Sequence, residues 1–120
     1  MRDERGSAGV LITTAMSIVL LIAFTFSATF IAWFAAARHA EQAAELAALA
    51  ATSASVRGDA PCAAAADVAR RNGVAVSGCD VRGGGRHVVV EVTVEAPLRP
   101  HLPGAPATFH RSATAGTGQE

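Results

Sequence analysis

Residues 7–37 read SAGVLITTAMSIVLLIAFTFSATFIAWFAAA, thirty-one positions without a charge or a histidine. A helix needs roughly 20 apolar residues to cross the hydrocarbon core of a bilayer, so this run is long enough with margin. Inside lipid every backbone N–H and C=O must find its partner within the segment, which leaves the α-helix as the conformation. The Thr and Ser residues can bond back to carbonyls one turn earlier, so they do not argue against insertion. The run predicts a transmembrane helix that holds the rest of the chain at a membrane.

On its N-terminal side lies MRDERG, where Arg2 and Arg5 are offset by Asp3 and Glu4. Arginine on a short N-terminal flank favours a cytoplasmic N-terminus, although Arg38 closes the other end of the run. Cys62 and Cys79 both follow the apolar run. A disulfide between them suits an exported half, which gives a second argument for N-in, C-out. A cleavable signal is the competing reading, because Ala35-Ala36-Ala37 offers an A-x-A pattern after the apolar stretch. A signal's apolar region is roughly 7–15 residues, and this one is about twice that, so the helix is expected to stay.

On the C-terminal side the pattern continues without Gly or Pro through RHAEQAAELAALAATSASV. Leu46, Leu49, Ser53 and Val56 recur at 3-4-3 spacing, a narrow seam for a neighbouring helix. Ala36, Ala40, Ala43, Ala47 and Ala51 form a second stripe on which another backbone could lie close. Arg38, His39, Glu41, Gln42 and Glu45 mark where the helix leaves the bilayer, with Trp33 as an aromatic anchor and His39 as an interfacial residue. The alternatives are a soluble stalk touching only its own domain, or one continuous helix packing against copies or partners. The second is the expectation.

Beyond residue 57 the chain is near the lower limit for a domain with its own core. Gly58 is expected to cap the long helix in the left-handed region. Asp59 as N-cap and Pro61 in the first turn open a second helix from Cys62 to about Arg71, with Cys62, Ala66 and Ala69 on one face. Two strand-like runs follow, VAVSGCDV and HVVVEVTVEA, around Gly83-Gly84-Gly85. In the second, Val88, Val90, Val92 and Val94 share one face and Glu91, Thr93 and Glu95 the other. The first changes parity between Val76 and Cys79, which predicts a bulge near Gly78. Together they read as a hairpin. Pro97, Pro100, Pro103 and Pro106 enforce an extended linker. Residues 107–115 alternate weakly around Phe109 and fit a third, edge strand, followed by a disordered tail at 116–120. The expectation is an α+β fold: leader 1–6, transmembrane helix 7–37, helical stalk 38–57 and a small extracytoplasmic head 58–115.

Ten arginines balance ten acids, and there is no basic stripe of the kind that binds nucleic acid. Catalysis has little support. Gly83–Gly85 sits between strands, where a turn explains it, and no Ser/His/Asp or Cys/His set is recognisably spaced. Cys62, Cys79, His87 and His110 could in principle hold zinc, but the short C-x₂₋₄-C pairing is missing. A Cys62–Cys79 disulfide, tying the short helix to the hairpin, is the stronger expectation. No cofactor or metal is expected.

Three features then coincide: the charged leader ERGSA running into the apolar helix, the segment ARHAEQAAELAALAA, and GDAPCAAAADVARRNG…C before a valine-rich hairpin. Over nearly its whole length the chain resembles the TadE-like pseudopilins of tight-adherence (Flp-type, type IVb) pilus systems. It most resembles the actinobacterial branch encoded beside helicase and secretion genes. The resemblance implies a single-pass minor pilin-like subunit in the cell membrane, with membrane lipid and other pilin, pseudopilin or Tad assembly subunits as its partners. It implies a prepilin peptidase cutting at the cytoplasmic face between Gly6 and Ser7. It also implies helices packed side by side, with Ala36, Ala40, Ala43, Leu46, Ala47, Leu49 and Val56 as the packing positions here. Pilins carry Glu five residues after the cut, and this chain has Leu11. The other readings are a membrane-anchored extracytoplasmic binding module without a filament role, and a secreted protein released after Ala37.

Overall fold

The computed structural model describes residues 3–84 and 86–118. The elements in chain order are α1 (Asp3–Arg57), α2 (Pro61–Arg71), β1 (Ala75–Gly84), β2 (His87–Pro97) and β3 (Thr108–Gly116). The strands form one antiparallel sheet in the order β1-β2-β3. The fold is the α+β arrangement the sequence implies: one long N-terminal helix, one short helix and a three-stranded sheet.

The chain divides into two compact units, residues 1–32 and 33–120. The first is helical throughout its described residues. Its large side chains, from Val10 to Ile31, are exposed, and none is covered by protein. Its hydroxyls turn back onto the helix: Thr13 Oγ1 donates to Gly9 O (3.0 Å), Ser17 to Thr13 O (2.9 Å), Thr25 to Leu21 O (2.8 Å) and Ser27 to Ala23 O (2.9 Å). Each polar side chain so bonded presents little unmet polarity outward. The helix is long and apolar enough to cross a membrane.

In the second unit the last turns of α1 lie on the sheet. Ala40, Ala43, Ala44, Ala47, Ala48 and Ala51 are buried against Val88, Val90, Val92, Val94 and Ala96 of β2. Alanine has no side-chain bulk beyond Cβ, so the helix backbone can lie close to a sheet surfaced with valine. From Ala40 to Ala51 the alanine stripe is therefore covered from within the chain, with Ala36 half-buried. This corrects the expectation that another molecule's backbone lies on it.

Two glycines end the helices. Gly58 (φ +84) donates to Ser55 O and Asp59 N–H to Ala54 O, and Gly73 (φ +74) with Val74 repeats the pattern on Arg70 O and Ala69 O. Both are Schellman caps, in which the left-handed residue satisfies carbonyls the helix leaves free. The start of α2 differs from expectation. Its N-cap is Ala60, with no side-chain cap, while Asp59 pairs with Arg57 at 3.2 Å. Pro61 opens the helix, and one missing N–H there costs nothing. The buried face of α2 carries Ala65 and Ala69; Ala66 is exposed. The face runs at i, i+3, i+7 from Cys62 rather than i, i+4, i+7.

The register of β1 shifts between Val76 and Gly78. This is the bulge implied by the parity change, and its effect is specific. Val76 pairs with Val94 and Cys79 with Val92, so two residues three apart reach the same, helix-facing side. β1 runs further than expected, to Gly84; Gly85 lies outside the described residues. Gly83 has φ +85, and a Cβ there would collide with the carbonyl oxygen of His87. The third strand forms, and it takes in Gly116. Thr117 N–H donates to Val88 O at 2.9 Å and its Oγ1 accepts from Val88 N–H at 3.0 Å. The expected disordered tail is thus bonded through Thr117, while residues 119 and 120, like residues 1 and 2 of the leader, lie outside the described residues.

The helix–sheet contact sets a testable asymmetry. Ala47→Leu overpacks a closed interface and is expected to destabilise the 33–120 unit by about 1–3 kcal/mol. Leu49→Ala, on the open side of the same helix, changes stability by no more than about 0.5 kcal/mol. Thermal melts of both variants in detergent micelles by circular dichroism compare the two directly.

Candidate functional site

Residues 38–57 of α1 are two-faced. The alanine face is closed by the sheet, while Leu46 (49 % exposed), Leu49 (57 %) and Val56 (60 %) stand on the other side. Ser53, between them, is exposed too, and Ala36 is half-buried. The 3-4-3 spacing places these residues in one line along the helix. A line of three large apolar side chains is too narrow for a core and has the width of a helix–helix seam. This seam is the chain's candidate interaction surface. Gly6 and Ser7, the expected cleavage junction, lie within the first turns of α1, and Leu11 is exposed on the apolar run.

Two devices fasten the elements of the 33–120 unit to one another. The first is the Cys62–Cys79 disulfide, which joins the N-terminus of α2 to β1 with the Cα atoms 5.9 Å apart. The β1 bulge is what turns Cys79 toward α2. With both sulfurs in this bond, neither is available as a zinc thiolate. His87 stands at the start of β2 and His110 in β3, and no group of three or more metal-ligating side chains occurs among the described residues.

The second device escaped the sequence. His39 lies 2.8 Å from the carbonyl oxygen of Asn72, the C-cap of α2. A carbonyl only accepts, so His39 Nε2 carries the hydrogen. Asn72 in turn donates Nδ2–H to Val68 O at 2.8 Å. His39 thus ties α1 to the end of α2 instead of serving only as an interfacial residue. Histidine at a helix exit gives no sign of a partner thirty-three residues away. Trp33 is a similar case: its Nε1–H donates to Pro100 O at 3.1 Å.

The outer face of the sheet is polar. Arg82 binds Asp80 (2.8 Å) and approaches Glu91 (4.0 Å), and the hydrogen bond and charge of Asp80, then Glu91, hold its guanidinium above its ordinary pKa. Thr93 and Ser112 share a hydrogen bond of 2.8 Å across β2 and β3. Ser77, set in the bulge, lies 3.3 Å from His110 Nδ1 and 3.4 Å from Thr93 O. A hollow of ≈ 430 Å³ beside Val56, Arg86, His87, Thr117 and Gly118 is half open and holds no converging set of buried polar groups.

No family model, curated protein or solved structure matches this chain.

Removing the disulfide tests how far the head depends on it. Cys62→Ser is expected to cost about 3 kcal/mol, the value a closed loop of this size gives in the chain-entropy model. The measurement is a denaturant titration of the reconstituted protein, with the native chain under reducing conditions as the matched control.

Proposed function

We propose that the protein is a TadE-like minor pseudopilin, a single-pass membrane subunit that supports assembly of a tight-adherence pilus or related secretion apparatus by helix packing, without catalysis. The observation that carries the reading is the two-faced segment of α1. One face is closed by the chain's own sheet, and the other presents Leu46, Leu49 and Val56 uncovered on a helix continuous with an uncharged membrane-length run. Such a helix can lie beside another without disturbing the head it carries. The N-terminus is cytoplasmic and the head lies outside, a placement supported by the disulfide and its need for an oxidising compartment. The partners are membrane lipid, neighbouring pilin-like or Tad assembly subunits along the helix seam, and a prepilin peptidase at Gly6-Ser7.

Leu11 favours a second reading. An acidic residue in the apolar run would be costly unless paired with a neighbouring subunit, and so would act as an assembly signal. With leucine in that place, the helix can also serve as the plain anchor of an extracytoplasmic binding module.

The mature N-terminus distinguishes the readings. Mass spectrometry of protein purified from membranes of a producing cell is expected to find Ser7 first. A start at Met1 would support the anchored module, and a start at Arg38 a secreted protein. Oxidative crosslinking of Leu49→Cys in the same membranes is expected to give a crosslinked band. Val81→Cys, on the sheet, gives none.

A further inference from the structure

The ten residues between β2 and β3, LRPHLPGAPA at 98–107, form a built loop rather than an open linker. Leu98 N–H donates to Ala107 O at 2.9 Å and closes its neck. At its tip, Ala105 N–H donates to Leu102 O at 3.0 Å, with Gly104 at φ +84. Proline at the second and glycine at the third position make this a type II turn. The loop is fastened to α1 by the Trp33 Nε1–H···O Pro100 bond of 3.1 Å.

That bond fixes a depth. Trp33 precedes Ala37, the last residue of the uncharged run, by four positions. At 1.5 Å per residue, the loop's carbonyl lies about 6 Å below the end of the run along the helix axis. Trp favours the level of the lipid headgroups. The neighbouring Phe34 is exposed, with the Arg38 guanidinium 5.4 Å from its ring centre. A loop held at Trp33 therefore shares the headgroup layer with this aromatic and basic belt.

The loop's chemistry suits that layer. Leu102, at its tip, is 41 % exposed, and Arg99 and His101 are exposed with no acid anywhere in 98–107. Pro100, Pro103 and Pro106 have no N–H to leave unmet, and the N–H groups of Leu98 and Ala105 are bonded internally. Half of the ten backbone positions therefore carry no free N–H, which lowers the cost of entering a region of lower polarity.

We propose that this loop is a second membrane contact, separate from the spanning helix. Leu102 inserts among the lipid headgroups of the outer leaflet and Arg99 pairs with anionic lipid phosphates. The head is thereby held down on the bilayer surface rather than hanging from the helix alone. The inference rests on the reading of residues 7–37 as a membrane span.

The test uses the full chain, its native cysteines left in their disulfide, in vesicles of equal parts phosphatidylcholine and phosphatidylglycerol. Leu102→Cys carries an environment-sensitive fluorophore, and Leu20→Cys, in the middle of the run, carries the same label as a separate sample. The Leu102 label is expected to be quenched by a nitroxide near the lipid headgroup and shielded from aqueous iodide. Arg99→Gln should lower the ratio of lipid-bound to aqueous loop about fivefold, the factor given by roughly 1 kcal/mol per surface arginine. Trp33→Phe should release the Leu102 label to iodide while the head stays folded at the assay temperature by circular dichroism. If Leu20 is quenched from within the bilayer but Leu102 is open to iodide, the loop is aqueous and the proposal fails while the span stands. If Leu102 is shielded from both quenchers, protein covers it and the proposal likewise fails. If Leu20 itself escapes lipid quenching, the span reading fails and takes the loop contact with it.

Discussion

The structure depends on one contact, the alanine face of α1 against the valine face of β2. Ala40, Ala43, Ala44, Ala47, Ala48 and Ala51 meet Val88, Val90, Val92 and Val94, and all are buried. Neither surface is self-sufficient. A helix face of alanines removes little apolar area from water, and an isolated hairpin is marginal at best. Pressed together they exclude water from both, because small residues on the helix admit the branched residues of the strand. The rest of the head is arranged around this interface. The bulge in β1 returns Val76 and Cys79 to the same side, and β3 adds Phe109, Ala113 and Ala115 at its margin.

A core this thin needs fastening at its edges, and the fastenings are polar or covalent. The disulfide holds α2 to β1, His39 holds α1 to the end of α2, and Trp33 holds the β2–β3 loop to α1. Each joins segments distant in sequence, so each removes freedom that the small apolar core has little energy to remove alone. All three lie at the periphery of the alanine–valine contact and none inside it. The interior keeps only groups without unmet hydrogen bonds: no buried side-chain nitrogen or oxygen among the described residues lacks a partner.

What the sequence revealed divides along physical lines. Elements governed by local pattern were legible: the uncharged run, the period-two valines of β2, the parity change that requires a bulge, and the glycine cap at Gly58. The cysteine pairing was legible because only two cysteines exist. What was not legible was which surface meets which. The alanine stripe points by its pattern to another molecule's backbone, the expectation the sheet overturns, since periodicity marks an apolar face without naming its partner. The N-cap at Ala60 was missed because Asp59 satisfies every local preference for that role, yet Arg57 engages it. The bonds of His39 and Trp33 depend on loop ends whose positions no short-range pattern sets.

The distribution of side-chain size along α1 bears on what the helix is for. Burying a leucine contributes about 1.5–3 kcal/mol, more than an alanine can. A chain selected only for stability of its head would place its bulkiest residues toward the sheet. Here Leu46, Leu49 and Val56 stand on the open side, and the buried side is alanine apart from Thr52. The small residues are accounted for by their burial in one cluster with the valines of β2, but nothing in the head explains the large ones opposite. In a lone molecule they leave apolar surface in water on a helix that polar residues would serve as well. Their placement is accounted for once a second apolar surface lies along that line, and the head remains intact whether or not that surface is engaged.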